Sequence, residues 1–501
     1  MTEKSVIVIG AGLAGLSAGC YLQMNGYRTR IFEHHTAPGG VAACWKRNGY
    51  LVDGGIHFIM NCKPGSTVYD MYSELGTAQA NHFIAMQTYA RFFDEESGRS
   101  LMVTADLDQL ADDLKALSPG DATLVDELIL GARATGGLDL GSVGMGSPPE
   151  VMGPLDWVKM LWQMRPLVRY LVGKHRKPVE KFAAKAGDPW LRFVLESMFL
   201  PEVPVWFLLM LLGMLPDRQM GLLEGGSSGF VLPIEKRYQE LGGAVAYGST
   251  VEDVLVEEDR AVGVRLSGGT EHRADVVVSA ADGHSTIFKM LGGRYVNNKI
   301  ETMYGKWQLI RPAVMVSYGV ARQFSDEPWL SIIRLDKPFR VGQEEIEGIA
   351  LRIFNYSERF APPGKTVVQV SFETEWDHWN RSHRDLPAYA AEKDRVAQEV
   401  LRRLESHYPG ISRQVEMTDV ATPYTTWRYT RNWKGAYMGW LPTPDVITTT
   451  VGRTLPGLDH FVMAGQWVMP GGGVLGCLYS GRHVAQILCR QDGKPFLTTV
   501  P

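Results

Sequence analysis

Three glycines near the start of the chain have the spacing of a phosphate-binding turn. They stand in the run Gly10-Ala11-Gly12-Leu13-Ala14-Gly15, which follows the apolar run Val6-Ile7-Val8-Ile9 and precedes a helical pattern over residues 13–25. A second strand, predicted over residues 28–32, leads directly to Glu33. A glycine-rich turn between a strand and a helix, with an acidic residue ending the next strand, predicts a dinucleotide site.

Each position in this pattern has a physical role. Gly10 makes the tight turn, Gly12 lets the backbone approach a pyrophosphate, and Gly15 lets the helix pack closely on the strand. The N-terminus of the helix offers free N–H groups and the positive end of its dipole to phosphates. Glu33 can accept hydrogen bonds from ribose hydroxyl groups. The alternative, a glycine-rich turn without a ligand, is disfavoured by this combination of strand, helix and acidic residue.

Two further glycine segments follow, Gly39-Gly40 and Asp53-Gly54-Gly55. A nicotinamide-binding unit has no need of a second glycine pair directly beyond the ribose carboxylate. With the first turn, these segments resemble the flavoprotein group that contains amine oxidases, phytoene desaturases, carotenoid isomerases and retinol saturases. The resemblance implies an α/β fold with a Rossmann-type, glutathione-reductase-like FAD domain built from discontinuous segments. It also implies a substrate domain with an antiparallel sheet and a helical cap.

The same resemblance implies FAD as the cofactor and assigns contacts to the N-terminal segment. The residues that would contact FAD there are Gly10, Gly12, Leu13, Ala14, Gly15, Glu33, His34, Gly39, Gly40, Val41, Gly54, Gly55 and Ile56. His57 follows directly and would face the substrate side of the flavin ring, so we predict it as the catalytic residue. A buried, hydrogen-bonded histidine without a catalytic role is the alternative interpretation.

The C-terminal region resembles the second FAD motif of the desaturases and amine oxidases. A predicted strand over residues 458–464 leads through a glycine-rich turn to a helix predicted over about residues 475–489. This chain departs from the family at Gln466, a neutral residue where an acidic one is common. The remaining contacts implied by the resemblance are Val251, Ala280, Gly465, Gln466, Gly473, Val474 and Leu475.

Gly471, Gly473 and Gly476 repeat the spacing of the first turn. The residues after Gly476 are too few for a further strand, helix and acidic residue, so we interpret this second pattern as a flavin contact. No other strand-linked copy of the spacing is present in the sequence, which argues against a separate nicotinamide domain.

The composition of the 501 residues is that of a globular protein with more than one domain. The net charge of −4 gives no reason to expect nucleic acid as a partner. The five cysteines form no CxxC or CxxxxC pair, which argues against a disulfide reductase, a disulfide framework or a metal site. The first strand begins too early for a signal peptide, so the predicted location is cytoplasmic or peripheral on the inner face of the membrane.

Five segments make up the predicted domain organisation. The FAD domain takes residues 1–75, 221–295 and 431–501, while the substrate domain takes residues 76–220 as a helical cap and residues 296–430 as an antiparallel sheet. The elements predicted in the second FAD segment are a helix over 233–241 and a β-meander of strands over 250–256, 261–266 and 274–279. The elements predicted in the sheet segment are strands over 313–320, 330–335, 349–354 and 366–372 and a helix over 387–408, with Glu399 and Arg403 as an outward ion pair.

Two apolar stretches of the cap segment bear on the substrate and on the membrane. Residues 155–185 combine Trp, Tyr, Met and Leu with eight Lys and Arg residues, which is typical of a helix on an anionic membrane surface. A helical cap whose apolar face is ordinary core is the alternative. Residues 203–216 are strongly apolar but shorter than the roughly 20 residues of a spanning helix. We therefore predict a buried helix beside an apolar tunnel.

A flavin between a nucleotide domain and an apolar cap implies redox chemistry on a hydrophobic small molecule. Three enzymatic interpretations stay open: desaturation or saturation of a polyene or isoprenoid, cis–trans isomerisation of a carotenoid without net redox, and amine oxidation. Amine oxidases of this fold wall the amine with an aromatic residue of the C-terminal motif, and residues 470–475 contain none. Tyr424, Trp427 and Tyr429 could still supply such walls. A flavin-binding scaffold without turnover is the non-enzymatic alternative, and the sequence assigns no oligomeric state.

Overall fold

The computed structural model describes residues 3–165 and 168–501. Its strands are β1 (Ser5–Ile9), β2 (Arg28–Phe32), β3 (Cys44–Arg47), β4 (Tyr50–Asp53), β5 (Ile59–Met60), β6 (Phe83–Ala85), β7 (Thr88–Asp94), β8 (Ser100–Thr104), β9 (Met220–Leu223), β10 (Ala244–Ala246), β11 (Val251–Glu257), β12 (Arg260–Leu266), β13 (Glu271–Arg273), β14 (Val276–Ser279), β15 (Ala313–Val320), β16 (Leu330–Val341), β17 (Glu344–Ile353), β18 (Thr366–Glu373), β19 (Val415–Ala421) and β20 (Phe461–Met463).

The α-helices alternate with these strands. They are α1 (Leu13–Met24), α2 (Thr67–Glu74), α3 (Thr77–Ala80), α4 (Leu107–Leu117), α5 (Ala122–Thr135), α6 (Pro154–Met164), α7 (Val168–Leu171), α8 (Val179–Ala183), α9 (Pro189–Ser197), α10 (Val205–Met214), α11 (Gly226–Glu240), α12 (Asn298–Lys306), α13 (Trp376–Ser382), α14 (Leu386–His407), α15 (Pro423–Thr430), α16 (Pro444–Ile447) and α17 (Gly473–Gln491).

Five parallel strands form the sheet of the nucleotide domain, in the order β10-β2-β1-β14-β20. The central strand β1 is apolar because both of its faces are covered. Val6 and Val8 pack with α1, α11 and α17, while Ile7 and Ile9 pack with β11 and β12. Since β1, β14 and β20 come from distant parts of the chain, the predicted discontinuous Rossmann-type domain is confirmed.

The predicted β-meander has a different third strand. The predicted strand over residues 274–279 is β14, which pairs with β1 and β20 in the parallel sheet, whereas β13 completes the meander with β11 and β12. Val276, Val277 and Val278 are buried on both faces, as a central parallel strand requires. The polar run of β13 is suited to a short edge strand.

Helix α11 begins seven residues before the predicted start at Pro233, which lies inside it. The carboxylate of Asp53 accepts hydrogen bonds from the backbone N–H of Ser227 at 2.9 Å and from its hydroxyl at 2.6 Å. A carboxylate at a helix N-terminus stabilises the first turn, and this long-range partner is not visible in local sequence.

The substrate domain contains a seven-stranded sheet in the order β19-β15-β18-β17-β16-β7-β8. The four strands predicted in residues 296–430 are present as β15 to β18, with β15–β18, β17–β18 and β16–β17 antiparallel. The strands β7 and β8 were not predicted, and β7 joins β16 in parallel. The cap segment and the sheet segment therefore share one sheet.

Helix α14 covers this sheet with the predicted apolar face, which includes Val396, Val400 and Leu404. The prediction of an outward Glu399–Arg403 pair was wrong for Arg403, whose side chain is buried. Its guanidinium contacts Glu399 at 3.0 Å and also donates to the carbonyl of Lys337, so it links the helix to β16.

The two apolar stretches of the cap behave differently. Helix α10 is buried as predicted, whereas α6 has no buried residue along its length. Leu167, which belongs to the basic and aromatic stretch, lies outside the described residues. None of the helices in the described part of the chain has the length and apolarity needed to cross a membrane.

Candidate functional site

The first glycine turn has the geometry that its spacing predicts. Gly10 has a φ of +97°, a conformation that favours glycine, and a Cβ atom on Gly15 would lie 1.9 Å from the carbonyl oxygen of Gly10. A Cβ atom on Gly12 would meet only the carbonyl of Gly39, at 3.9 Å. The backbone at Gly12 therefore borders open space at the N-terminus of α1, where a pyrophosphate can approach.

The second glycine pair closes the other side of this space. Gly39 and Gly40 have φ values of +114° and +60°, and a Cβ atom on Gly40 would lie 3.4 Å from the Cα of Gly12. A Cβ atom on Gly55 would lie 2.8 Å from the carbonyl oxygen of Val41. Because the backbones approach so closely, larger residues cannot form this cradle.

Glu33 lies at the ribose side of the cradle. Its buried carboxylate accepts hydrogen bonds from the N–H of Ala11 at 2.6 Å and of His35 at 2.7 Å. Burial raises its pKa, while these backbone donors act in the opposite direction. The neighbouring His34 ring contacts the Thr250 hydroxyl at 2.7 Å. The carboxylate keeps acceptor capacity for ribose hydroxyls.

The C-terminal turn faces the same space from the same edge of the parallel sheet, since it follows the carboxyl end of β20. Gly471, Gly472 and Gly473 have φ values of +88°, +50° and +71°, and α17 begins at Gly473 with no side-chain cap. The first N–H groups of α17 are thus available to a ligand. Gln466 is buried beside this turn and keeps it neutral.

A cavity of about 1080 Å³ connects both turns. The predicted cofactor-contacting residues that line it are Gly10, Gly12, Leu13, Ala14, Glu33, His34, Gly39, Gly40, Val41, Gly55, Ile56, Val251, Ala280, Gly465, Gln466, Gly473, Val474 and Leu475. Gly15 does not line this cavity, and Gly54 lines a second one, where a Cβ atom on Gly54 would be 2.6 Å from the Trp45 ring. Their glycine identity serves packing.

His57 lines this cavity and a second, adjoining one. Its side chain is in part open to this space, and desolvation together with the positive charge of Arg352 lowers its pKa well below the usual range. No hydrogen bond contributes to that shift among the described residues. A neutral imidazole therefore stands where the resemblance puts the substrate side of the flavin.

Strands β17 and β18 and Tyr437 supply residues of the cavity wall, most of them polar, that the sequence did not indicate. Both cavities are lined by Ala350 and Arg352 of β17, Ser371 and Glu373 of β18, and Tyr437. Ala350 pairs with Ser371 and Arg352 with Gln369, so these side chains come together through strand register. An arginine inside the apolar strand over residues 349–354 is the sequence signal that could have indicated this group.

An apolar arm extends the cavity away from the glycine turns, between the cap helices. The side chains that line it include Met60, Tyr89, Leu138, Leu140, Met145, Met152, Trp157, Met160, Met164, Met198, Phe199, Trp206, Phe207, Met210, Leu211 and Trp329. Helix α10 contributes its inner face to this arm, as predicted, and α6 contributes Trp157, Met160 and Met164. A long hydrophobic molecule matches such a lining.

The residues present fit FAD. The open space at Gly12 suits a pyrophosphate, Glu33 suits a ribose, and the uncapped start of α17 suits the polar edge of a flavin. Gly55 and Ile56, which line the cavity, would hold the flavin ring on this side.

Comparisons with known proteins agree with this geometry. The family model "Flavin containing amine oxidoreductase" matches residues 13–489. The chain is 22% identical to a chloroplastic prolycopene isomerase of Arabidopsis thaliana, over 95% of this chain and 81% of the plant protein. It is 23% identical to a lycopene-forming phytoene desaturase of Pseudescherichia vulneris, over 97% of this chain and 99% of that protein.

Among solved structures, cyclohexylamine oxidase of Brevibacterium oxydans aligns with a TM-score of 0.62 at 14% identity, over 98% of this chain and all of that one. At this identity the likeness concerns the fold alone. The family match spans nearly the whole chain, from within the first glycine turn to the end of the second and beyond. The chain therefore belongs to the flavin-containing amine oxidoreductase family and is an FAD-dependent oxidoreductase.

Proposed function

We propose that the protein desaturates or saturates a hydrophobic polyene or isoprenoid, with FAD as the redox partner. The observation that carries this proposal is the apolar arm, which begins beside His57 and runs between cap helices lined with Met, Leu and aromatic side chains. The names of the desaturase relatives point to the same substrate class. When bound, FAD supplies hydride exchange with a C–H bond or double bond.

The residues of this chain position the substrate and exclude water. The aromatic side chains of Trp206, Phe207 and Trp329 hold an extended apolar chain, and the buried wall of α10 keeps solvent away. His57 lies at the end of the arm that is nearest the glycine cradle. Its neutral ring can donate one hydrogen bond and accept another while it orients the reacting carbons.

Exchange of His57 for Ala tests this role. Turnover should fall by about 100-fold because misplacement of a reacting group by about 1 Å costs that much, while the purified protein stays yellow. Since the pKa of His57 is lowered, turnover of the wild-type protein should show no titration near the ordinary pKa of histidine. His82→Ala, at an exposed histidine, is the matched control. Unchanged turnover in the His57 variant would remove this residue from the mechanism.

Cis–trans isomerisation of a carotenoid without net redox is the second candidate. The prolycopene isomerase relatives favour it, and both reactions share the FAD motifs of this chain. Anaerobic incubation of the yellow protein with candidate carotenoids and retinoids separates the two. Flavin bleaching with a new double bond supports desaturation, whereas isomerised product without bleaching supports isomerisation.

Amine oxidation fits the site less well. The turn at residues 470–475 brings only glycine and aliphatic side chains to the cavity. Tyr424 instead stacks on His383 and on Trp427, at 3.7 Å and 5.4 Å between ring centroids, and Tyr429 contacts His35. Tyr424 and Tyr429 line the second cavity, and neither they nor Trp427 line the cavity that contains the two glycine turns. Amine-driven bleaching in the anaerobic experiment would reverse this order of candidates.

We also propose that the cap rests on an anionic membrane surface on the cytoplasmic side. Leu155, Val158, Leu161 and Trp162 of α6 are exposed by 84%, 64%, 62% and 67%, while Trp157, Met160 and Met164 of the same helix line the apolar arm. One helix thus has an exposed apolar surface directly outside the substrate cavity. The five free cysteines suit a reducing compartment.

Basic side chains surround this apolar surface. Lys159, Arg165, Arg169 and Lys177 are exposed, and none of them forms an ion pair with another described residue. Each cation near an anionic leaflet contributes about 1 kcal/mol. A hydrophobic substrate could then pass from the lipid into the arm without crossing water.

Flotation with vesicles tests the membrane proposal. The wild-type protein should float with vesicles that contain phosphatidylglycerol and much less with pure phosphatidylcholine. Leu161→Asp should lose about tenfold in vesicle affinity, because it removes buried apolar area and adds a negative charge. Leu497→Asp, at another exposed leucine, should bind as the wild type does. Equal binding by the two variants would overturn the proposal.

A further inference from the structure

Arg352 is a buried cation that donates no hydrogen bond to a carboxylate of the described residues. Its side chain is 4% exposed, on strand β17 opposite Gln369. The guanidinium donates to the Gln369 carbonyl through Nη2, and its Nε–H has no hydrogen-bond partner. An unpartnered buried N–H of a charged group is unfavourable, so its retention requires a reason.

The acidic residue whose charge acts most on Arg352 is Asp53, and its carboxylate is hydrogen-bonded to other groups. Asp53 acts on Arg352 only through its charge, because its carboxylate accepts from Gly55 at 3.0 Å and from the Ser227 hydroxyl at 2.6 Å. Glu373, which shares the cavity lining, lies 3.9 Å from Arg311, and burial raises its pKa toward the neutral form. Neither carboxylate therefore accepts a hydrogen bond from the Arg352 guanidinium, although the charge of Asp53 acts on it.

A structural role does not explain this charge. Gln369 donates to the carbonyl oxygen of Asp53 at 3.0 Å and to the Ser317 hydroxyl at 2.9 Å, which holds the Asp53 backbone in place. The side-chain carbonyl of Gln369 needs a donor to complete this series of hydrogen bonds, but a neutral side chain with an N–H group could donate equally well. A buried guanidinium carries a large desolvation cost that a neutral donor avoids.

The position of Arg352 indicates what would pair with it. It lines the cavity beside His57, at the end where the apolar arm meets the glycine cradle. The N–H donors of the planar guanidinium match the two oxygen atoms of a carboxylate. A pair of parallel hydrogen bonds between these two groups is strong. The remaining lining at this end, with Ser371 and Tyr437, offers further hydroxyl groups to oxygen atoms.

We propose that the substrate is an apolar chain with a terminal carboxylate, and that Arg352 binds this carboxylate while the apolar arm receives the chain. This inference rests on the proposed function and narrows its substrate class. It distinguishes the protein from an enzyme for pure hydrocarbons, because the guanidinium of Arg352 would then have no carboxylate as a hydrogen-bond acceptor in the occupied site. It also places the reacting bond closer to the charged end than to the far end of the chain.

A matched pair of probes tests the proposal. Retinoate and retinol share one polyene chain and differ in the terminal group, and their binding to the yellow protein can be followed by the perturbation of flavin absorbance. The wild-type protein should bind retinoate at least about tenfold more tightly than retinol. Arg352→Gln should weaken retinoate binding by about 30-fold or more, as expected when one partner of a buried charge pair is removed. Retinol affinity should change less than about threefold, since the chain contacts are unaltered.

Two further variants complete the set. Arg352→Lys keeps the charge but loses the paired donors, so retinoate binding should fall to an intermediate value. Arg340→Gln, at an exposed arginine on strand β16 of the same sheet, should behave as the wild type does. If Arg352→Gln loses FAD, the relative affinities of the wild-type protein and of Arg352→Lys for retinoate and retinol still test the proposal.

The outcomes that overturn the inference are distinct from failure of the proposed function. Equal wild-type affinity for retinoate and retinol, or an equal loss of both in Arg352→Gln, would mean that Arg352 binds no carboxylate. A shift of the flavin potential without a change in ligand preference would assign its charge to the cofactor instead, which also overturns the inference. Strong Arg352-dependent binding of retinoate with no turnover of any polyene would leave the inference standing and remove the proposed function.

Discussion

The two glycine turns of the FAD site have the same spacing but different geometry. In the first turn, over residues 10–15, Gly10 has a positive φ. Gly15 packs against Gly10 so closely that a Cβ atom on Gly15 would lie 1.9 Å from the Gly10 carbonyl oxygen. In the second, over residues 471–476, three successive glycines have positive φ, whereas a Cβ atom on Gly476 would meet Met469 at an ordinary 3.5 Å.

This difference teaches that spacing alone does not define the role of a glycine. The first turn lies between a strand and a helix that cross closely, so its last glycine is needed for packing. The second turn needs its glycines for an unusual backbone path, since a Cβ atom on Gly472 would lie 2.4 Å from the carbonyl of Met438. Its last glycine is already inside α17. Only the first turn is a dinucleotide motif in the structural sense.

The substitution expected to have the largest effect replaces Gly15, the last glycine of the first turn, with alanine. Gly15→Ala forces a methyl group against a backbone carbonyl that cannot move easily, so the free energy of unfolding should fall by about 3 kcal/mol. Urea denaturation of the FAD-loaded protein measures it. A loss below about 1 kcal/mol would show that the helix and strand can separate without penalty.

The second test addresses the ligand side of the first turn. Gly12→Val should lower FAD affinity by about 100-fold, as overpacking against the pyrophosphate costs a few kcal/mol. The fold should survive because a Cβ atom there meets only one protein atom within 4 Å, at 3.9 Å. Gly268→Val, where no atom lies within 4 Å, is the control. A fully loaded yellow Gly12→Val protein would contradict the assignment of the phosphate turn.

The smallest effect is expected at the last glycine of the second turn. Gly476→Ala places a methyl group in ordinary contact and removes a glycine from a helix, which should stabilise the protein by about 0.5 to 1 kcal/mol. Thermal unfolding of Gly476→Ala beside Gly15→Ala measures the contrast directly. Equal destabilisation by both substitutions would mean that the two turns are equivalent after all.

Much of the nucleotide domain could be predicted because its signals are local. The strand Val6–Ile9, the first glycine turn and α1 are adjacent in sequence, and each requires a restricted set of residue types. The buried helix α10 could be predicted for a similar reason, since a short uniformly apolar segment must be covered on all sides. The glycine turn at residues 471–473 was also visible, because few other residues adopt its backbone conformation.

The sequence by itself determined which residues could hold a dinucleotide and which cofactor family they resemble, because those requirements act over a few neighbouring residues. Only the tertiary structure decided that β14 belongs to the parallel sheet, that β7 joins β16, and that Arg352 lies beside His57. Strand pairing joins residues hundreds of positions apart. The register that brings a buried charge to the cavity depends on packing across the whole domain, which no local pattern records.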